Sequence, residues 1–165
     1  MLGDVLVVSI SRVVEILSSV NSKFTLEDVV SKLKVSPRTA RKYIGDLLKA
    51  GFITVENGKY VVTEKGLLLL EVTHIRNRST SVDQAYVFTD EKGSPLVLRV
   101  DNITKLYIAV KYGLVPESVL KHHLEKGYLA KWLSEVLGAK LLAERVARTK
   151  TANEFVVLLE EYLSS

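Results

Sequence analysis

Apolar residues recur along this chain at two spacings, and the switch between them lays out its elements. Leu6, Ile10, Val13, Leu17 and Val20 follow one another at steps of four, three, four and three, which predicts an amphipathic helix over 4–20. Val5, Val8, Val14 and Ile16 widen its apolar face beyond one stripe, so a second buried contact is expected, with a partner subunit as the candidate. A turn at Asn21-Ser22-Lys23 follows. Thr25, with Asp28 three residues on, forms a capping-box pattern for a second helix whose apolar side is Leu26, Val29, Val30 and Leu33. Lys34-Val35 is a tight joint. Ser36 is then a good N-cap, and Pro37 falls at the first helical position, where its missing N–H costs nothing. Ala40, Ile44, Leu47 and Leu48 give this third helix one apolar face, and Gly51 sits where a left-handed residue ends it.

Beyond Gly51 the pattern changes to that of strands. Phe52–Val55 and Lys59–Val62 are joined by Glu56-Asn57-Gly58, and Asn-Gly is a strong hairpin signal because both residues tolerate positive φ. Thr63 and Glu64 start a helix that runs through Leu67–Leu70 to about Arg76. Its leucines face nearly all ways, so it is expected to be buried on more than one side. His74 reads as a partly exposed helical residue. The polar run Arg76-Asn77-Arg78-Ser79-Thr80-Ser81 is the best boundary in the chain, giving a first domain over 1–78, a linker over 79–82 and a second domain over 83–165. Arg76 and Arg78 are read as solvated linker charge.

The second half opens with another hairpin, Gln84–Thr89 and Pro95–Val100 around Asp90-Glu91-Lys92-Gly93. Asp101 or Asn102 caps a helix that ends at Tyr112-Gly113, and Pro116 opens a further one that Gly127 breaks. Tyr128–Leu137 follows with Trp132 and Leu133 inward, then Lys140–Ala147, and Thr151 caps a last helix with Phe155, Val156, Leu158, Leu159 and Tyr162. The fold class expected for the whole chain is mainly α with small β-hairpins, an α+β arrangement.

Two helices joined by about three residues, the second basic, are the helix-turn-helix arrangement. Thr39-Ala40, Ile44, Leu47 and the exit Ala50-Gly51-Phe52-Ile53, followed by the hairpin, resemble the winged helix-turn-helix family over roughly residues 1–78. That resemblance implies a recognition helix over 36–50 in the DNA major groove, a wing at the hairpin, and a following helix that connects domains or pairs subunits. The second half is similar to an uncharacterised prokaryotic domain family, frequent in archaea, over about residues 83–148. The matching stretches are AYVFTDEKG, VPESVLKHHLEKG and YLAKWLSEVLG followed by LLAERV. That likeness brings no activity with it.

Charge sharpens the first resemblance. Residues 1–78 hold 12 Lys and Arg against 8 Asp and Glu, whereas residues 79–165 hold 11 against 11. The whole excess of +4 lies in the half with the basic helix, as contact with phosphates requires. The absence of cysteine excludes disulfides, Cys-ligated zinc and thiol catalysis. No apolar run approaches the ~18 residues of a membrane span, and no basic region precedes the N-terminal apolar segment, so neither a membrane nor a signal peptide is expected and the location is read as cytoplasmic. His122-His123 are adjacent on a helix and project about 100° apart, a poor geometry for sharing one metal ion. No phosphate-binding glycine loop or nucleophile motif appears, so no enzyme, cofactor or metal is expected.

These patterns lead to a sequence-specific double-stranded DNA-binding protein, a transcriptional regulator acting as a homodimer. Arg38, Thr39 and Lys42 are assigned to base edges, with Arg38 or Lys42 suited to guanine O6 and N7. Ser36 and the first amides of its helix are assigned to a phosphate, and Lys34, Arg41, Lys49 and, on the wing, Lys59 to further phosphates. The second domain is assigned to assembly, with a protein partner or a small ligand as its other uses. The alternative is a winged-helix protein-interaction module that never touches nucleic acid, a view favoured by the modest net charge and by Glu56 on the wing.

Overall fold

Residues 8–164 are described by a computed structural model, and capping side chains set where its first helices begin. Helix α1 covers Ile10–Ser19, with the Ser9 hydroxyl accepting from the Arg12 amide at 3.2 Å. The helix expected from Asp4 therefore starts, within the described residues, only at Ile10. Val5 and Leu6 lie outside the described residues. Ser9 is extended (φ −66°, ψ 156°), so the helix begins at Ile10, which in its first turn is 53% exposed. The buried positions of α1 are Val13, Ile16 and Leu17.

Helix α2 (Leu26–Leu33) has the full capping box, Thr25 accepting from the Asp28 amide and Asp28 from the Thr25 amide. Between α1 and α2 the expected turn contains a two-residue strand, β1 (Lys23–Phe24). It pairs antiparallel with β3 (Lys59–Val62), which also pairs with β2 (Ile53–Glu56), so the sheet order is β1-β3-β2. Two residues carry too short a pattern to be seen in sequence; what fixes them is the pairing of Phe24 with Tyr60, their rings 5.6 Å apart. The wing turn is tight. Asn57 and Gly58 have φ 52° and 77°, and Glu56 faces Lys59 directly across it.

Helix α3 (Pro37–Ala50) buries Ala40, Ile44 and Leu47 in this core. They join Val13, Ile16, Leu17, Phe24, Val29, Phe52, Ile53, Val62 and Leu69, each Val, Leu, Ile or Phe side chain contributing roughly 1.5–3 kcal/mol when fully buried. Leu48, expected on the same face, is 38% exposed, because the buried stripe is narrow and Leu48 lies at its edge. The helix ends in a Schellman motif, with the Phe52 amide on Leu47 O at 3.0 Å and the Gly51 amide on Leu48 O at 3.2 Å. Helix α4 (Glu64–Arg76) then returns to that end. The Thr63 hydroxyl donates to Gly51 O at 2.6 Å, and Lys65 Nζ donates to Ala50 O. Carbonyls that a helix terminus leaves unpaired are thus satisfied by side chains at the entry to α4.

The chain separates into two compact units after Leu70, inside α4; the boundary expected from composition lies further on, at 79–82. Leu69 and Leu70 belong to the first core, while Glu71 has its partners in the second unit. At 79–82 the Thr80 amide donates to Asp101 O at 2.8 Å, and Val82–Gln84 forms a 3-10 turn.

In the second unit, strand β4 is Tyr86–Thr89, shorter than the expected Gln84–Thr89. Gln84 is held instead in the 3-10 turn, where its carbonyl accepts from Trp132 Nε1 at 2.8 Å. Strand β5 (Pro95–Val100) pairs antiparallel with it, the register shifting between Val87 and Thr89. Helices α5 (Ile103–Lys111), α6 (Glu117–Glu125) and α7 (Tyr128–Trp132) follow, the last running into a π-turn over Leu133–Leu137. Helices α8 (Lys140–Val146) and α9 (Ala152–Leu163) complete the unit around Phe88, Ile103, Leu106, Leu120, Leu129, Leu133 and Phe155. Helix α8 has no side-chain N-cap of its own. The Glu71 carboxylate takes that place, accepting from the Leu141 and Leu142 amides at 2.8 and 3.2 Å and from the Tyr162 hydroxyl at 2.8 Å. A carboxylate there satisfies two otherwise unpaired amides and opposes the positive end of the helix dipole. Burial, reinforced by the Glu71 hydrogen bond, pushes the Tyr162 phenol well above its usual range.

Candidate nucleic-acid interface

The N-cap at Ser36 sets the phase of α3. Its hydroxyl accepts from the Thr39 amide at 3.2 Å and donates to the Thr39 hydroxyl at 3.0 Å, while its carbonyl accepts from the Ala40 amide at 2.9 Å. Pro37 brings no amide and the Thr39 amide is taken by the cap, so the Arg38 N–H is open to an incoming acceptor. The Ser36 hydroxyl itself is already engaged on both sides.

With Ala40, Ile44 and Leu47 inward, Arg38, Arg41, Lys42 and Lys49 are all exposed and fall within a sector of about 100°. Four cations therefore share one solvent-facing stripe of one helix. Thr39 does not belong to that sector. It is half-buried on the flank, its hydroxyl tied to Ser36. Lys34 is exposed at the joint between α2 and α3, in the left-handed conformation with φ 55°, and Lys59 is exposed beside the wing turn. Asp46, the lone acid of α3, is half-buried with Oδ2 enclosed and without a hydrogen-bond partner. The cationic stripe thus carries no exposed carboxylate of its own helix.

Two features escape sequence reading. Arg12 comes from α1, where it looks like any polar position, yet its guanidinium lies 5.6 Å from the Tyr43 ring centre of α3 and 2.9 Å from Glu15. With Val8, Ser9, Lys42 and Tyr43 it lines a shallow cleft beside the cationic stripe. The other is Gly45, inside the stripe itself, one turn after Arg41 and Lys42 and one turn before Leu48 and Lys49. A glycine in a helix interior costs roughly 0.5–1 kcal/mol relative to alanine. Its φ is not positive, and a Cβ built there meets nothing within 4 Å.

The histidine pair of the second unit is divided by burial. His123 is 2% exposed and His122 half-buried. His123 Nδ1 shares a hydrogen bond with the Tyr86 hydroxyl, and Nε2 lies 3.0 Å from the Thr89 amide nitrogen and 3.1 Å from the Thr89 carbonyl oxygen. The rings of Phe88, His122 and Tyr128 surround it at 5.2, 5.8 and 5.6 Å. This imidazole pins β4 to α6. Among the described residues no group of three or more metal-ligating side chains occurs.

Burial holds the His123 pKa below its ordinary 6.5, against a smaller raising effect of the Thr89 backbone and with a further lowering by His122. The folded state then binds this proton less readily than the unfolded chain, so its contribution is intact above pH 6.5 and is lost as the pH falls below that value. Thermal unfolding followed from about pH 7.5 to about 5.5 is expected to show the melting temperature falling below the midpoint of free histidine. The slope should flatten in His123→Gln, which keeps hydrogen-bonding atoms and does not titrate. An equally steep slope in that variant would place the titrating group elsewhere.

Residues 9–81 match the winged helix-turn-helix family. No curated protein and no solved structure matches the chain. A winged helix-turn-helix points to DNA binding in general and is typically a non-enzymatic domain. No helix among the described residues is long and apolar enough to cross a membrane.

Proposed function

Residues 9–81 match the winged helix-turn-helix family, and from that premise we propose that the chain is a transcriptional regulator that binds double-stranded DNA sequence-specifically through α3. The observation that carries this is the stripe of Arg38, Arg41, Lys42 and Lys49 on the exposed face of the helix, with its one acid turned off the stripe. Arg38 and Lys42, nearest the N-terminal end, read base edges, the guanidinium of Arg38 matching guanine O6 and N7. Thr39 stands beside them and holds the Ser36 cap. Lys34, Arg41, Lys49 and Lys59 contact phosphates, and a phosphate at the helix start takes the Arg38 amide. The second unit assembles two chains, so that two copies of α3 meet half-sites about 34 Å apart, one helical turn of DNA. Exposed Ile108 on α5 and Val157 on α9 are apolar surface of that unit suited to the pairing. The protein acts in the cytoplasm.

A second reading is supported by the wing. Its tip is a two-residue turn with Glu56 against Lys59, and Val55 on the strand behind it is 53% exposed. Such a surface suits a protein partner better than a phosphate.

Titration of a labelled random-sequence duplex, followed by fluorescence anisotropy at several salt concentrations, separates the two. DNA binding predicts that log affinity falls against log salt with a slope of about −7 to −9 for the dimer, the value for four or five phosphates neutralised by each chain. Absence of binding at ~50 mM salt would reassign α3 to protein recognition.

A further inference from the structure

We infer that Gly45 is the point of closest approach of DNA to α3, and that its missing side chain sets specificity by sterics. The inference rests on α3 being the DNA-reading helix. Each other described glycine of the N-terminal unit has an internal reason. Gly51 and Gly58 have φ 80° and 77°, and a Cβ on Gly66 would lie 2.5 Å from Phe52 O. Gly45 has neither reason. Among the described residues nothing gains from a residue that weakens the helix at its centre.

What the position does provide is a gap in the middle of the cationic stripe. Side chains one turn away in each direction, Arg41 and Lys42 on one side and Leu48 and Lys49 on the other, flank bare backbone at Gly45. A major groove receiving this face lets the bases come against the Gly45 Cα, with Lys42 at a base edge beside it, while Arg41 and Lys49 reach outward to phosphates. Leu48, 38% exposed beside the gap, adds an apolar contact of the kind a thymine methyl group accepts. The gap therefore selects against base edges that hold the helix away, and it does so only in the closely seated, sequence-specific complex. A loosely held non-specific complex, driven by phosphates, does not feel it.

The test is Gly45→Ala in the full chain, measured against a duplex selected by the wild type and against a random duplex. Alanine is expected to raise the melting temperature by about 3 °C. It should weaken binding to the selected duplex by about tenfold or more, while affinity for random sequence stays within about twofold. A stabilised variant that binds the selected duplex as tightly as wild type overturns the role of Gly45 and leaves the DNA-binding assignment standing. Equal losses on both duplexes overturn the steric-specificity role. A wild-type protein that binds neither duplex overturns both. Gly45→Ser, which restores bulk with a hydroxyl, should show the same selective loss.

Discussion

Arg38→Ala combined with Lys42→Ala is expected to lower affinity for the selected duplex by about 100-fold or more, since each good contact to a base pair contributes about 1–3 kcal/mol. Both side chains are exposed on α3, and neither belongs to the core formed by Ala40, Ile44 and Leu47. Alanine also favours the helix. The melting temperature should therefore stay within about 2 °C of wild type, as surface substitutions usually do. That combination, lost binding in an intact fold, is what distinguishes a reading residue from a structural one. The single variants carry more detail. Arg38→Ala should relax discrimination at one base pair, because a planar bidentate donor is replaced by nothing that can tell guanine from adenine. Lys49→Ala, assigned to phosphate, should weaken all sequences alike and reduce the salt slope by about one for each chain of the dimer. If the double variant still selects the same duplex, the base-reading role belongs to other residues. The cleft formed by Arg12, Ser9 and Tyr43 beside Lys42 would then be the next place to substitute.

The elements that sequence reveals well here are those fixed by local chemistry. Ser36-Pro37, Thr25 with Asp28, Asn57-Gly58 and Gly51 each determine a cap or turn through one or two residues, and each occurs where its chemistry places it. Elements fixed by contacts between distant segments are harder to read. Strand β1 exists because Phe24 meets Tyr60 across the sheet, and Gln84 leaves the strand pattern because Trp132 takes its carbonyl. Helix α8 lacks its own cap because Glu71 supplies one, and neither sequence neighbourhood announces the other. The same division runs through the candidate site. The cationic residues of α3 are legible from helical spacing. Thr39 belongs to the cap more than to the exposed stripe, Arg12 reaches α3 only in the folded domain, and Gly45 becomes conspicuous once its surroundings show no need for it.

Gly66→Ala is expected to destabilise the N-terminal unit by about 2–3 kcal/mol, although alanine is the better helix former by about 1 kcal/mol. The added Cβ would lie 2.5 Å from Phe52 O and 2.8 Å from Val62 Cγ1. A side-chain methyl group can move aside. The Phe52 carbonyl cannot do so cheaply, because it accepts from the Thr63 amide at 3.0 Å and belongs to the segment that closes the Schellman end of α3. Displacing it pulls on the Thr63 hydroxyl bond to Gly51 O and on the Lys65 contact with Ala50 O, so strain at α4 is passed to the end of α3. For a unit of this size the melting temperature should drop by roughly 10 °C or more. The same substitution at Gly45, where a Cβ meets nothing within 4 Å, is expected to raise it. Opposite signs for one chemical change at two glycines of one unit would tie each to its surroundings. A melting temperature for Gly66→Ala at or above wild type would mean that α4 can slide away from Phe52, so that the carbonyls ending α3 are not held by α4 as the geometry requires.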